Sequence, residues 1–181
     1  KTYRGQGVDD SAANVRLDMT PQGFHAMVLS PEGDYFIDPY SKGDVNHYAV
    51  YYKHNYLRMP FHEFTCHTTG EFPMSEVGYS ERNSGGTLKT YRTAVAATGE
   101  YTAFHGGTVA AGQAAIVTAI NRVTAVYERD VCIRLVLVAN NSNLVYTNAG
   151  TDPYTNNTGG TMLGQNQTNV TAVIGSANYD I

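Results

Sequence analysis

Two imidazoles and a carboxylate lie within one short stretch, Phe61-His62-Glu63-Phe64-Thr65-Cys66-His67. In an HExxH arrangement, histidines four residues apart share a helical face, bind zinc, and flank a glutamate that activates water. Here the second histidine falls one place late. On a helix, His67 is rotated about 140° from His62. Pro60, Phe61, Phe64 and Thr65 also form helix poorly, so the catalytic reading of this segment fails. Cys66 retains three readings. It is a small buried hydrophobe, or half of a disulfide with Cys132, or a thiolate that fills the fourth position on a catalytic zinc and keeps water away from it.

Other groups carry weaker chemical signals. His25 and His47 sit at strand positions and His54 ends one, none at ligand spacing with another. His105, in Phe104-His105-Gly106-Gly107, reads as a loop imidazole ahead of a helix. Gly106-Gly107-Thr108 at a helix start offers amides to an anion, but dinucleotide and P-loop spacings are absent. There is no Gly-x-Ser-x-Gly, and Asp9-Asp10 are adjacent rather than convergent. Asn140, Asn156, Asn166 and Asn169 each begin an Asn-x-Ser/Thr glycan acceptor pattern. The tyrosine-rich strands suit either cross-strand packing or a docking face.

The elements that must position these groups fall into two regions. The 181 residues are 42% hydrophobic and only 15% charged, with a formal net charge of −4, so a packed core is expected and disorder is not. Four lysines and no basic stripe argue against nucleic acid, and no run approaches the roughly 18 apolar residues of a membrane span. Neutral polar surfaces lean towards a secreted protein. Residues 1–86 carry eleven acidic and seven basic side chains, whereas residues 87–181 carry five of each. Asn83-Ser84-Gly85-Gly86 at the join reads as a boundary open to a protease.

In the first region, Val15–Met19, Phe24–Leu29, Tyr35–Ile37 and His47–His54 read as strands, with a turn at Ser30-Pro31-Glu32-Gly33-Asp34. Residues 55–86 show little periodicity. In the second region, Thr90–Ala97 is strand-like, with Tyr91, Thr93, Val95 and Ala97 on one face. Thr108 then caps a helix whose stripe comprises Val109, Ala115, Ile116, Ala119, Ile120, Val123, Val126 and Tyr127. Cys132–Ala139 runs apolar, as a strand buried on both faces would. Strand, long helix and strand make a βαβ crossover. After a polar loop from Asn140 to Gly160, Gln167–Ala177 begins a weak second helix. The fold class is α+β, with an α/β unit in the second region.

The wording of several segments carries a resemblance. Thr2-Tyr3-Arg4-Gly5-Gln6-Gly7, Phe24-His25-Ala26-Met27-Val28 and Phe36-Ile37-Asp38-Pro39-Tyr40 resemble the end of a propeptide. Tyr91-Arg92-Thr93-Ala94-Val95-Ala96-Ala97-Thr98-Gly99-Glu100-Tyr101, Ala119-Ile120-Asn121-Arg122-Val123 and Cys132-Ile133-Arg134-Leu135-Val136-Leu137 resemble the start of a catalytic domain. The family is the secreted bacterial reprolysin-like zinc metallopeptidases of the metzincin class. The resemblance implies a β-rich propeptide over residues 1–86 and the N-terminal part of a metzincin-like domain over 87–181, an incomplete sheet with a long crossover helix.

The resemblance further implies a secreted precursor cut between Arg82 and Lys89, around Ser84, Gly85 and Gly86. Cys66 is the one propeptide cysteine able to hold zinc, although Thr65-Cys66-His67 lacks the fuller motif of animal reprolysins. The zinc motif HExxHxxGxxH and its methionine turn are not among these residues, so the expectation is that zinc ligands and general base lie in the remainder of the catalytic domain and that this chain alone is inactive. Calcium is left open. Protein or peptide substrates are implied, with no nucleic acid and no membrane span. The alternative is a non-enzymatic secreted adhesion, binding or structural module, because no catalytic constellation lies inside the chain.

Overall fold

The computed structural model describes residues 1–56 and 86–181. The first region forms one antiparallel meander: β1 (Thr2–Gln6), β2 (Asn14–Thr20), β3 (Gly23–Leu29), β4 (Tyr35–Pro39) and β5 (Tyr48–Tyr52), in that spatial order. The four expected strands are present. β1 was not legible, since Thr2–Gln6 offers no alternation. It is fixed instead by pairing with β2, Thr2 opposite Asp18 through Gln6 opposite Asn14. Gly33 makes the turn before β4 at φ +133°, its amide donating to Ser30 O at 3.0 Å; a side chain resists that backbone geometry. Aromatic rings on β4 and β5 pack across strands, Tyr35 against Tyr52 and Phe36 against Tyr51, with centroids 5.8 and 5.5 Å apart.

The second region is a βαβ unit with additions. β6 (Lys89–Thr93) and β7 (Ile133–Leu137) pair in parallel, joined through α1 (Gly99–Phe104) and α2 (Val109–Val131). Thr108 caps α2 as expected, its Oγ1 accepting from Ala111 N at 3.1 Å. Cys132 ends the helix at φ 53°. β6 is shorter than the expected Thr90–Ala97, because the chain leaves regular pairing after Thr93 and returns only at an isolated bridge between Ala97 and Val145. α3 (Gly159–Ile174) starts eight residues before the expected Gln167, packing Val170 and Ile174 on Leu144; tertiary burial overrides its weak propensity. Beyond α3, Ile181 O accepts from Ala94 N, and the Asp180 and Ile181 amides donate to Arg92 O, so the last residues run beside β6.

Two expectations about burial need correction. β7 is not buried on both faces: Val136 is 46% exposed, and among the described residues β7 pairs on one edge only. The stripe on α2 also differs. Val109, Ala119, Val123 and Tyr127 are exposed, while Thr118, Asn121 and Thr124 are buried. The physical reason is that α2 packs against two layers, β2 and β3 on one side and β7 on another. Burial is therefore divided among faces, and some buried positions are polar. Its length and mean hydropathy of 1.3 match a membrane span, which the packing between two sheets accounts for.

Candidate functional site

The charged chemistry of the described residues concentrates where α2 meets the first sheet. Thr118, Arg122, Ala125 and Arg129 recur at three- and four-residue spacing, which places them on one helical face. Ala125 packs with Met27 and Leu29, and Phe36 and Val126 close around them. This apolar patch lies among polar contacts.

At one contact Thr118 Oγ1 donates to Asp18 Oδ1 at 2.8 Å. Asp18 is 1% exposed, and a carboxylate this deep needs such donors. His25, its cross-strand neighbour on β3, places Nδ1 3.4 Å from the same oxygen. At the next contact Arg122 forms an ion pair with Asp38 and lies over the Phe36 ring at 5.1 Å. Tyr51 Oη donates to Asp38 Oδ2 at 2.7 Å. Burial, then the carboxylate beside it, pushes the Tyr51 hydroxyl up to about 12.

At the far end Glu128 meets three guanidinium groups: Arg16 from β2, Arg4 from β1 at 3.5 Å, and Arg134 from β7. Burial opposes its ionisation, but hydrogen bonds from Arg134 and Arg16 outweigh this and hold the carboxyl below its usual range. Arg129 adds a 3.8 Å contact to Asp34. Gln22, in the β2–β3 turn, donates to His105 O at 3.0 Å and Ala111 O at 3.1 Å, tying the turn to the start of α2. A cleft of about 770 Å³ opens beside these groups, lined among others by His25, Tyr40, Lys42, Tyr101, His105 and Arg122. Sequence reasoning passed over Asp18, Asp38, Arg122 and Glu128, since each stands alone in the chain and their association is tertiary.

The residues singled out from sequence divide as follows. His62, Glu63, Cys66, His67, Ser84 and Gly85, and with them the zinc-capping and disulfide readings of Cys66, lie outside the described residues. Gly86 is exposed. His105 is the C-cap of α1 rather than a plain loop residue, its ring 4.4 Å from that of Tyr101. Burial, then the charge of Lys42, lowers its pKa. The Gly106 and Gly107 amides donate to Ala103 O and Thr102 O, so they close α1 rather than cradle an anion. His47 bonds Asp44 at 2.9 Å, and His54 stacks on Tyr52. Asn166 and Asn169 lie inside α3, bonded to Tyr154 and Tyr146.

The contacts within the second region are equally specific. Asn141, 1% exposed, accepts from Val95 N at 2.7 Å and donates to Val95 O at 3.1 Å and Gln113 Oε1 at 2.9 Å. It supplies by side chain the pairing that the backbone loses after β6. Thr98 caps α1, and Asp152 Oδ2 accepts from Gly99 N at 2.7 Å.

No group of three histidine, cysteine, aspartate or glutamate side chains suited to a metal occurs among the described residues. Zinc therefore has no ligand set among the described residues. A parallel strand pair joined by a long helix, in a mixed α+β chain, is consistent with part of a metzincin-like domain. The family model for the M12B reprolysin-like metallopeptidases matches residues 87–181. The chain belongs to that family. No curated protein and no solved structure matches it.

Proposed function

We propose that this chain is part of a secreted zinc metalloendopeptidase precursor in which residues 1–86 form the inhibitory propeptide and residues 87–181 scaffold the catalytic cleft. The observation that carries this reading is the family match, which begins at residue 87, at the Ser-Gly-Gly join where the charge pattern changes. Its family also supports proteolysis as the activity and zinc as the metal. Zinc supplies Lewis-acid polarisation of a scissile carbonyl and activation of water. The chain's own contribution is positional: β6, α2 and β7 hold the sheet, and Asn141 and Thr98 fix the loops at its end. Cys66 is the proposed thiolate ligand that holds the precursor inactive, and processing is proposed around Ser84, Gly85 and Gly86. No observation supports the alternative of a non-enzymatic module.

The test is Cys66→Ser in the full-length precursor, followed by peptidase release over time. Faster appearance of chelator-sensitive activity is expected. An unchanged rate would remove the zinc-capping role from Cys66.

A further inference from the structure

A second cleft lies on the other side of α2, away from the one beside His25. Its volume is about 520 Å³, and it is bounded by β1, α2 and β7. Both bounding strands are edge strands among the described residues, β1 of the meander and β7 of the parallel pair. An edge strand presents its outer amides and carbonyls to whatever lies beside it; on β7 the Leu135 carbonyl already accepts from Thr124 Oγ1 at 3.4 Å, and the other outer groups remain for a partner strand. The floor is apolar, from Val117, Ile120, Leu135 and Leu137.

The rim is strongly basic. Lys1, Arg4, Arg16 and Arg134 all line this cleft. Arg4 and Arg16 stand directly opposite in the β1–β2 register, a like-charge pairing that disfavours the sheet. Glu128 is the carboxylate that offsets it, and it is shared with Arg134. Three guanidinium groups on one carboxylate leave a positive excess before Lys1 is counted. A separate observation points to a missing acceptor: Asn121 lines the same cleft, is 6% exposed, and its Nδ2 has no hydrogen-bond partner. A buried donor of this kind destabilises the fold unless something accepts from it.

We propose that this cleft binds an extended acidic peptide. The peptide lies along β7 by strand addition, sets alternate apolar side chains on the floor, and points its carboxylates at Arg4, Arg16, Arg134 and Lys1. A carbonyl or carboxylate of the peptide accepts from Asn121 Nδ2. Charge complementarity selects this occupant: a basic or neutral strand leaves the excess in place. Because β1 belongs to the first region and β7 to the second, the bound peptide bridges the two. The inference rests on the cleft and its charges, and it stands whether or not the chain is a protease precursor.

The probe is a fluorescein-labelled hexapeptide alternating glutamate and valine, compared with its glutamine–valine counterpart, titrated into the full chain and read by fluorescence anisotropy. The acidic peptide is expected to bind about tenfold more tightly, a preference that shrinks with added salt. Two variants follow. K1E/R4E reverses exposed charges and is expected to abolish the preference. Asn121→Leu removes the buried donor, keeps the charges, and is expected to weaken both peptides. Hydrogen exchange should slow at the outer amides of residues 133–137 when the acidic peptide is bound. Equal affinity for the two peptides, an unchanged preference in K1E/R4E, or unaltered exchange along β7 would overturn the proposal.

Discussion

Asn141 and Thr118 show how much of this molecule depends on single side chains that replace backbone or satisfy a buried charge. Asn141 completes three hydrogen bonds at a position 1% exposed. Asn141→Leu leaves the Val95 amide and carbonyl without partners and is expected to cost about 2–3 kcal/mol in urea unfolding; a change within about 0.5 kcal/mol would contradict the role. Thr118→Val keeps the shape and removes the hydroxyl that donates to Asp18. A loss of about 1–3 kcal/mol is expected by the same measurement. Neither role was legible in the sequence. Asn141 reads there as part of a glycan acceptor pattern and Thr118 carries no local signal, and only tertiary contact gives either its partner. Thr108 was legible because an N-cap is a local device: its hydroxyl serves an amide three residues on.

At the scale of elements, α2 explains both what periodicity recovered and what it missed. Its start and its βαβ context follow from local pattern. Its buried face does not, because two sets of neighbours divide it: Ala125 meets the meander and Ile116 packs with Ala97 and Val145 beside β7, while Val123 and Tyr127 are exposed. Close approach adds a glycine constraint. A Cβ at Gly112 would meet Val145 Cγ1 at 2.7 Å and Thr102 Oγ1 at 3.1 Å, so Gly112→Ala is expected to lower stability by about 1–3 kcal/mol. Gly164 in α3 has nothing within 4 Å, and Gly164→Ala is expected to raise it by roughly 0.5–1 kcal/mol. Thermal unfolding of the pair checks both signs. Equal shifts in one direction would contradict the packing described. The terminal pairing beside β6 is pH-dependent. Hydrogen bonds from the Arg92 side chain hold the Asp180 carboxyl at about 2, against 3.8 ordinarily. A depressed carboxylate stabilises above its ordinary value and loses that contribution as pH falls through the folded value. Exchange protection of the Ala94 amide should therefore hold at neutral pH and decline from about pH 4 towards pH 2.

For the molecule as a whole, the two regions differ in composition yet meet across a charged interface. A boundary near Gly86 is what the drop in charge density and the Ser84-Gly85-Gly86 run suggest from sequence. The association of the regions was not legible there, because Asp18, Asp38 and Glu128 meet Thr118, Arg122 and Arg16 only through the fold. Cutting the chain between the regions removes no contact at that interface. After a single cut around Ser84, Gly85 and Gly86, the fragments are expected to co-elute on size exclusion at neutral pH. Glu128 is held below its usual range, so its contribution is present at neutral pH and lost on acidification through that lowered value. Separation is therefore expected in acid, not at pH 7. Fragments that part at pH 7 would show the interface to be too weak to hold the first region in place.

The proposed precursor joins residues 1–86, as propeptide, to residues 87–181, as catalytic scaffold of one zinc peptidase. The most direct test follows maturation of the full-length precursor by intact mass and N-terminal sequencing, alongside peptidase activity with and without a zinc chelator. A new N-terminus around Ser84, Gly85 and Gly86 is expected to appear together with chelator-sensitive activity. Equal activity before and after processing, or activity that a zinc chelator leaves untouched, would contradict the proposal.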